Sequence, residues 1–288
     1  MHESFQSNAY TAVLSGSDFS RLSRLIYEES GIKMPAAKKH MIEARLGKRL
    51  KSLGISSFSA YCDYLFSNEG LKQELTGMID LITTNKTDFF RESAHFNYLM
   101  QKVLPGWVHE QQGFSGRELR VWSAGCSTGE EPYTLAMILN EFAEKSPGFD
   151  YRILATDLST RVLEKAKLAI YDAERVAPVP QLFKKKYLLR SRNRSKGLVR
   201  IGPELRRKVR FHRLNFMDND FGIREPFDII FCRNVVIYFD RPTQERLLNK
   251  FYTHMTNDGY IFMGHSETLN GLDVPLVQVH PTIYRKKR

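Results

Sequence analysis

Val121-Trp122-Ser123-Ala124-Gly125-Cys126-Ser127-Thr128-Gly129-Glu130-Glu131-Pro132-Tyr133 decides the fold. An apolar run (Leu119, Val121, Trp122) enters a Gly/Ser/Thr turn, which opens directly onto a helical pattern carrying Tyr133, Leu135, Ala136, Ile138 and Leu139. Strand, glycine turn and helix in that order form the nucleotide-cradling unit of α/β proteins. Gly125 and Gly129 are expected to let the backbone approach a ligand closely, because neither carries a Cβ.

The paired acids narrow the ligand class. A phosphate loop wants a positive helix start and usually a lysine. Glu130 and Glu131 would instead repel a pyrophosphate and suit a cationic, hydroxyl-bearing ligand such as S-adenosylmethionine. Acids in a first helical turn also complement the macrodipole, so neither Glu decides the matter alone.

Downstream, Asp157 ends the next strand pattern, where an acid accepts hydrogen bonds from ribose hydroxyls. Its other role there would be a helix N-cap, which Ser159 could fill instead. Asn215-Phe216 follows a further strand, at a place suited to an adenine edge and face, although Asn is common in turns for conformational reasons. Arg233, Asn234 and Tyr238 stand at the end of the apolar run beginning at Phe227, over the crevice at the carboxyl ends of the strands. In Thr83-Thr84-Asn85-Lys86-Thr87-Asp88-Phe89-Phe90-Arg91, Phe89 and Phe90 are expected to pack down while Asn85, Thr87 and Arg91 face a ligand.

The chain reads as an α/β protein: a doubly wound, mainly parallel sheet preceded by an all-helical domain over 1–82 and a connector over 83–91. In the helical part, Asp18 is the expected cap of a helix ending at Gly31. A second helix follows Pro35 and closes at Gly54, and shorter ones fall around 57–67 and 70–82. Lys38, Arg45, Lys48 and Arg49 form a basic edge on the second helix, either plain solvated surface or a docking surface for acidic helices. From 92 to 288, helices near 92–112, 130–145, 159–169 and 242–256 alternate with strands near 118–123, 151–156, 209–214, 227–232 and 259–264, and a last strand spans 275–284. Residues 171–207 interrupt that rhythm with prolines, a lysine tract and β-like stretches at 186–189 and 197–201. They read as a small inserted β-subdomain used for recognition.

Lys and Arg number 43 against 32 acids, a net charge of +11 that points to an acidic or polyanionic partner. No apolar run approaches the length of a membrane span. The start lacks the layout of a secretory signal, and three scattered cysteines suggest neither a disulfide framework nor a zinc site. The expectation is a soluble, cytoplasmic, metal-free monomer.

From about residue 18 to 285 the chain resembles the chemotaxis receptor glutamate O-methyltransferases, the CheR family. The resemblance rests on T-T-N-K-T-D-F-F-R at 83–91, W-S-A-G-C-S-T-G-E-E-P-Y at 122–133, A-T-D at 155–157, F-C-R-N-V-V-I-Y-F at 231–239 and G-H-S-E at 264–267. It implies methyl transfer from S-adenosylmethionine to glutamates in the cytoplasmic helical region of chemoreceptors. It also implies a cofactor site lined by Asn85, Thr87, Arg91, Glu131, Asp157, Asn215, Phe216, Arg233 and Asn234, with Arg91 and Tyr238 nearest the transferred methyl group. In some relatives the inserted subdomain grips a receptor C-terminal tethering peptide. Here its turn, Ser191 to Gly197, carries Arg and Ser where such relatives have extra glycines, so tether binding stays open.

Two other classes were weighed. A nucleic-acid methyltransferase would suit the charge, but amino-directed enzymes carry an Asn/Asp-Pro-Pro-aromatic string where this chain has Arg-Asn-Val-Val-Ile-Tyr, and the Pro-Cys nucleophile of cytosine C5 enzymes is absent. A non-catalytic protein of the same fold would not need the intact Arg91 and Tyr238.

Overall fold

The computed structural model describes residues 13–110, 117–193 and 197–287. The chain divides after Thr83 into two compact units, and the connector from Thr84 onward belongs to the second.

The first unit is helical: α1 (Gly16–Ser30), α2 (Lys39–Leu53), α3 (Phe58–Leu65), α4 (Asn68–Gln73) and α5 (Leu75–Ile82). Leu22, Ile26, Ile42, Leu46, Leu50, Phe58, Leu65 and Met78 make its core. Ser15, not Asp18, caps α1. Its hydroxyl accepts from the Asp18 backbone N–H at 3.0 Å and donates to the Asp18 carboxylate at 2.7 Å, so Asp18 sits inside the first turn as the reciprocal partner. The expected helix over 70–82 is two helices with a break at Glu74, whose side chain turns inward.

That carboxylate is only 1 % exposed. Arg49 donates to it through Nη2 at 2.6 Å and Nε at 3.0 Å, and the Tyr61 hydroxyl donates at 2.9 Å. Burial and the nearby Glu74 charge hold the Tyr61 hydroxyl well above its ordinary pKa. Arg45 donates through Nη1 to the carbonyls of Ile82 at 2.6 Å and Thr83 at 2.9 Å, closing the end of α5. Of the four basic residues expected to face a partner, Arg45 and Arg49 therefore use their guanidiniums inside the unit. Lys48 is exposed, and Lys38 is half-buried in a 3₁₀ turn.

The second unit opens with α6 (Ser93–Tyr98), a π-turn over Leu99–Val103 and α7 (Leu104–Glu110). The rest of the helix expected to reach 112 lies outside the described residues. β1 (Leu119–Ala124), α8 (Glu130–Ala143), β2 (Tyr151–Asp157) and α9 (Thr160–Leu168) follow. The insertion holds β3 (Ile170–Asp172), α10 (Gln181–Tyr187), β4 (Leu188–Arg190), β5 (Leu198–Ile201) and α11 (Pro203–Arg206). β6 (Val209–Arg213), β7 (Phe227–Cys232), α12 (Arg241–Thr253), β8 (Met255–Met263), β9 (Leu276–His280) and β10 (Ile283–Lys286) complete the chain.

Seven strands form one sheet in the order β6-β2-β1-β7-β8-β10-β9. It is parallel from β6 to β8, while β10 runs antiparallel to both neighbours. β1 and β7 are buried along nearly their whole length, as central strands covered on both faces must be. The single strand expected over 275–284 is instead the β9–β10 hairpin. Pro281 has no N–H for a ladder and Thr282 sits at φ 56°, so the chain turns there.

Within the insertion the small sheet has the order β3-β5-β4, antiparallel throughout. The stretch 186–189, expected to be extended, is helical through Tyr187. That side chain is buried, donating to Glu141 at 2.7 Å and accepting from Asn140 at 3.0 Å, which holds the last turn of α10 against α8. Residues 194–196 of the expected turn lie outside the described ones.

Arg49→Ala would leave a buried carboxylate with only a tyrosine hydroxyl. It should cost about 2 kcal/mol, below the full penalty of a buried pair because Arg49 is half-exposed. Thermal denaturation of the variant should show the lower midpoint.

Candidate active site

In the large sheet the chain leaves β1 in one direction and β7 in the other, so their carboxyl ends flank the switch point where α/β sheets bind ligands. The glycine turn follows β1; Arg233 and Asn234 follow β7. Gly125 and Gly129 have φ 85° and 97°, a region that favours glycine. A Cβ on Gly125 would lie 2.4 Å from Val235 Cγ2, and one on Gly129 would lie 2.8 Å from the Tyr171 hydroxyl. The two glycines thus let Val235 and Tyr171 pack closely on the turn.

The acid pair is likewise internally matched. Glu131 accepts from Arg233 Nε at 2.7 Å and from the Ser123 hydroxyl at 2.7 Å. Glu130, nearly fully buried, accepts from Arg175 Nε at 3.0 Å and from the Thr128 hydroxyl at 2.6 Å. Arg175 comes from the insertion and also reaches Asp88 of the connector at 3.3 Å. Both acids at this helix start are therefore paired with arginines of the protein itself.

Arg233 was expected to line the cofactor site, but its guanidinium is buried. Nη1 donates to the Arg91 carbonyl at 2.7 Å and lies 3.6 Å from Glu92. The group sits over the rings of Phe96 and Phe231 at 5.0 and 5.5 Å. Through these contacts it ties β7 to α8 and to the connector.

The connector packs on the glycine turn: Ser127 Oγ donates to the Asn85 carbonyl at 2.9 Å and Phe90 N–H donates to Thr134 Oγ1 at 3.2 Å. Phe89 is buried against Tyr171, and Phe90 packs on Phe96 and Phe183. Thr87 is buried, whereas the Arg91 side chain is 33 % exposed, donating to the Lys86 carbonyl at 3.1 Å. Asp157 accepts from the Ser127 and Ser159 backbone N–H groups at 2.8 and 3.0 Å, which orients it at the end of β2. Ser159 is the N-cap of α9.

Leu214 N–H donates to the Asp157 carbonyl, placing Asn215 beside that acid. The Asn215 side chain accepts from Met217 N–H at 3.0 Å, and the Phe216 ring is buried against Phe221 and Phe251. Asn234, at φ 60°, approaches Glu92, and half-buried Tyr238 stands on a 3₁₀ turn four residues on.

Glu92, His95 and Glu267 were not singled out from sequence. Glu92 follows Arg91 directly, and Glu267 ends the quoted G-H-S-E string, so position alone could have raised both. Glu92 Oε2 is buried and, among the described residues, has no hydrogen-bond donor. Such an acceptor is costly to leave unmade, and a ligand ammonium would satisfy it. The residues present thus fit a cationic adenosine cofactor, with Glu92 as an acid beyond those at the helix start. Glu92, His95 and His265 bring one potential metal ligand each within 4.8 Å of one another. Arg233 Nη1 lies only 3.3 Å from His95 Nδ1, so a divalent ion there would face a guanidinium.

All three cysteines are free and buried. Burial pushes the Cys62 thiol up to about 12 and those of Cys126 and Cys232 well above their usual value. They are inert, not nucleophilic. Among the described residues no helix is long and apolar enough to cross a membrane.

A doubly wound sheet with a glycine turn at its switch point and an acid closing the neighbouring strand defines the α/β class that binds adenosine cofactors. The model for the CheR methyltransferase SAM binding domain matches residues 85–284, and that for the CheR all-alpha domain matches residues 17–83. The chain belongs to the CheR methyltransferase family. It is 42 % identical over 270 residues to a chemotaxis protein methyltransferase of Borreliella burgdorferi, covering 93 % of this chain and 94 % of that one. It is 39 % identical over 271 residues to the Escherichia coli protein of the same name, covering 94 % and 91 %.

Burial, then the Arg233 charge, depresses the His95 pKa from 6.5 to about 3. The unfolded chain binds this proton more readily than the folded one between those values. Stability is therefore full above pH 6.5 and is lost as pH falls toward 3, at up to about 1.4 kcal/mol per unit. His95→Gln should flatten that part of the stability profile in urea titrations across the window.

Proposed function

We propose that this enzyme, a methyltransferase using S-adenosylmethionine, esterifies glutamate side chains in the cytoplasmic helical region of chemoreceptors for adaptation in bacterial chemotaxis. One observation carries the reading. The connector is fastened to the glycine turn and α8, so a partly exposed Arg91 stands beside Glu92, whose buried Oε2 makes no hydrogen bond among the described residues.

S-adenosylmethionine, when bound, supplies a methyl group on a positively charged sulfur leaving group. The receptor glutamate, with a reference pKa of about 4.3, is already ionised at neutral pH and needs no general base. The protein's work is alignment and partial exclusion of water. Arg91 orients the incoming carboxylate by charge-assisted hydrogen bonds. It must hold it loosely, because methylation consumes the carboxylate's charge and a tight ground state would slow the step. Asp157 would receive the ribose hydroxyls and Glu92 the ammonium. Asn85, Thr87, Asn215, Phe216 and Asn234 complete the cofactor's surroundings, with Tyr238 beside the methyl. Glu131 and Arg233 act from behind, holding α8, β7 and the Arg91 backbone in register.

Docking is assigned to two surfaces. In the helical unit, exposed Lys48 with Lys38 offers the basic contact to acidic receptor helices, while Arg45 contributes charge from its fixed position. On the insertion, β3 and β4 are the outer strands of the small sheet, and Ile170 and Leu189 flank Arg200 in one row across it, 43 % and 54 % exposed. That row and an outer strand suit addition of an extended receptor peptide as a further strand. The enzyme is proposed to work in the cytoplasm as a monomer.

The deciding experiment incubates the protein with methyl-labelled S-adenosylmethionine and receptor-containing membranes. Alkali should release the label as methanol, the mark of a carboxyl ester; label on nucleic acid, or none, would overturn the reading. Arg91→Ala should cut turnover on the order of a hundredfold while changing cofactor affinity little by calorimetry. Receptor methylation should fall steeply as salt rises, and that dependence should weaken in a Lys38→Ala/Lys48→Ala double variant.

A further inference from the structure

We propose that Glu267 is a positioning residue for methyl transfer, its carboxylate gathering the loop after β7 so that Asn234 and Tyr238 stand correctly at the site. The proposal rests on the methyltransferase reading above and adds a residue that makes no use of Arg91.

Four backbone N–H groups converge on this one side chain. Oε2 accepts from Gly264 at 2.6 Å and Asn234 at 2.9 Å; Oε1 accepts from Val235 at 2.9 Å and, more weakly, Ile237 at 3.3 Å. The carboxylate is 3 % exposed. The four donors come from two places in the chain, the end of β8 and the loop leaving β7, just beyond the Cys232–Met263 end of the ladder between those strands. The approach is tight: a Cβ on Gly264 would lie 2.6 Å from Asn234 Nδ2 and 2.8 Å from Asn234 N. Asn234 sits at φ 60°, in the left-handed region that asparagine tolerates better than most non-glycine residues. Its amide then approaches Glu92, and the following turn presents Tyr238.

Only an acceptor without protons fits this place. An ionised carboxylate is acceptor-only, with room for four donors on two oxygens. A glutamine of the same shape would turn an NH₂ toward two N–H groups in either orientation. Burial raises the Glu267 pKa against the pull of those amides; the hydrogen bonds offset part of the cost of burying the charge.

The test compares the wild-type protein with Glu267→Gln by amide hydrogen exchange, calorimetric titration with S-adenosylhomocysteine, and receptor methylation. Exchange should quicken at residues 234–237 and 264 while β1, β2 and the core of β7 stay protected. Turnover per folded molecule should fall on the order of tenfold to a hundredfold, with the receptor KM little changed. Unchanged exchange at 234–237 with turnover within twofold of wild type would overturn the proposal, as would exchange quickening evenly through the whole sheet. Should that variant not fold, Glu267→Asp, which keeps the charge but draws it back, serves instead and should show the same pattern in weaker form; its matching wild type in exchange and turnover would overturn the proposal. If the wild-type protein itself takes up no S-adenosylhomocysteine, the methyltransferase reading fails, while the exchange comparison still decides whether Glu267 holds the loop.

Discussion

A guanidinium removed from water must find acceptors in the protein, and Arg233 finds them on two separate pieces of chain. Glu131 belongs to the helix after the glycine turn and the Arg91 carbonyl to the connector, where the adjoining Glu92 adds an ion pair at 3.6 Å. The aromatic faces of Phe96 and Phe231 cover what the acceptors leave. Each partner is itself near the carboxyl end of the sheet, so one buried charge fixes the relative positions of strand, helix and connector. A lysine could supply the charge but not the fork that reaches both Glu131 and a carbonyl.

Electrostatics in this site is thus organised in layers. Cations answer the buried acids: buried Arg233 answers Glu131, and the exposed Arg175 answers Glu130. Beside them stand a partly exposed cation, Arg91, and Glu92, whose Oε2 makes no hydrogen bond among the described residues. A sulfonium donor and an anionic acceptor are substrates of opposite charge. A site holding both profits from being near neutral overall, with single groups of each sign at the places where they are needed.

Much of this was legible in the amino-acid sequence. The alternation of β-branched runs with amphipathic stretches gave the sheet, because central parallel strands are apolar throughout and helices carry a period that strands do not. The motif at 122–133 gave the switch point, and the odd composition of 83–91 marked the connector as more than a tether. What stayed hidden depends on where side chains turn. Nothing in the spacing of Arg45 and Arg49 says that one closes a helix and the other meets Glu74, since helical periodicity gives a face but not a partner 25 residues away. The same holds for Glu130 and Glu131, whose cations lie 45 and 102 residues downstream. The final strand was misread as one because two strands and a two-residue turn keep the same apolar content as a single long one.

The ion pair between Arg175 and Glu130 also constrains how this protein can be remodelled. The insertion looks like a detachable module, a small sheet with its own order of strands between two strands of the main one. Yet its arginine neutralises an acid at the very start of α8 and touches Asp88 on the connector. Exchanging the segment for a relative's version would leave Glu130 unmatched unless a basic residue travelled with it. The insertion and the start of α8 are therefore inherited together in this chain, joined by a single side chain.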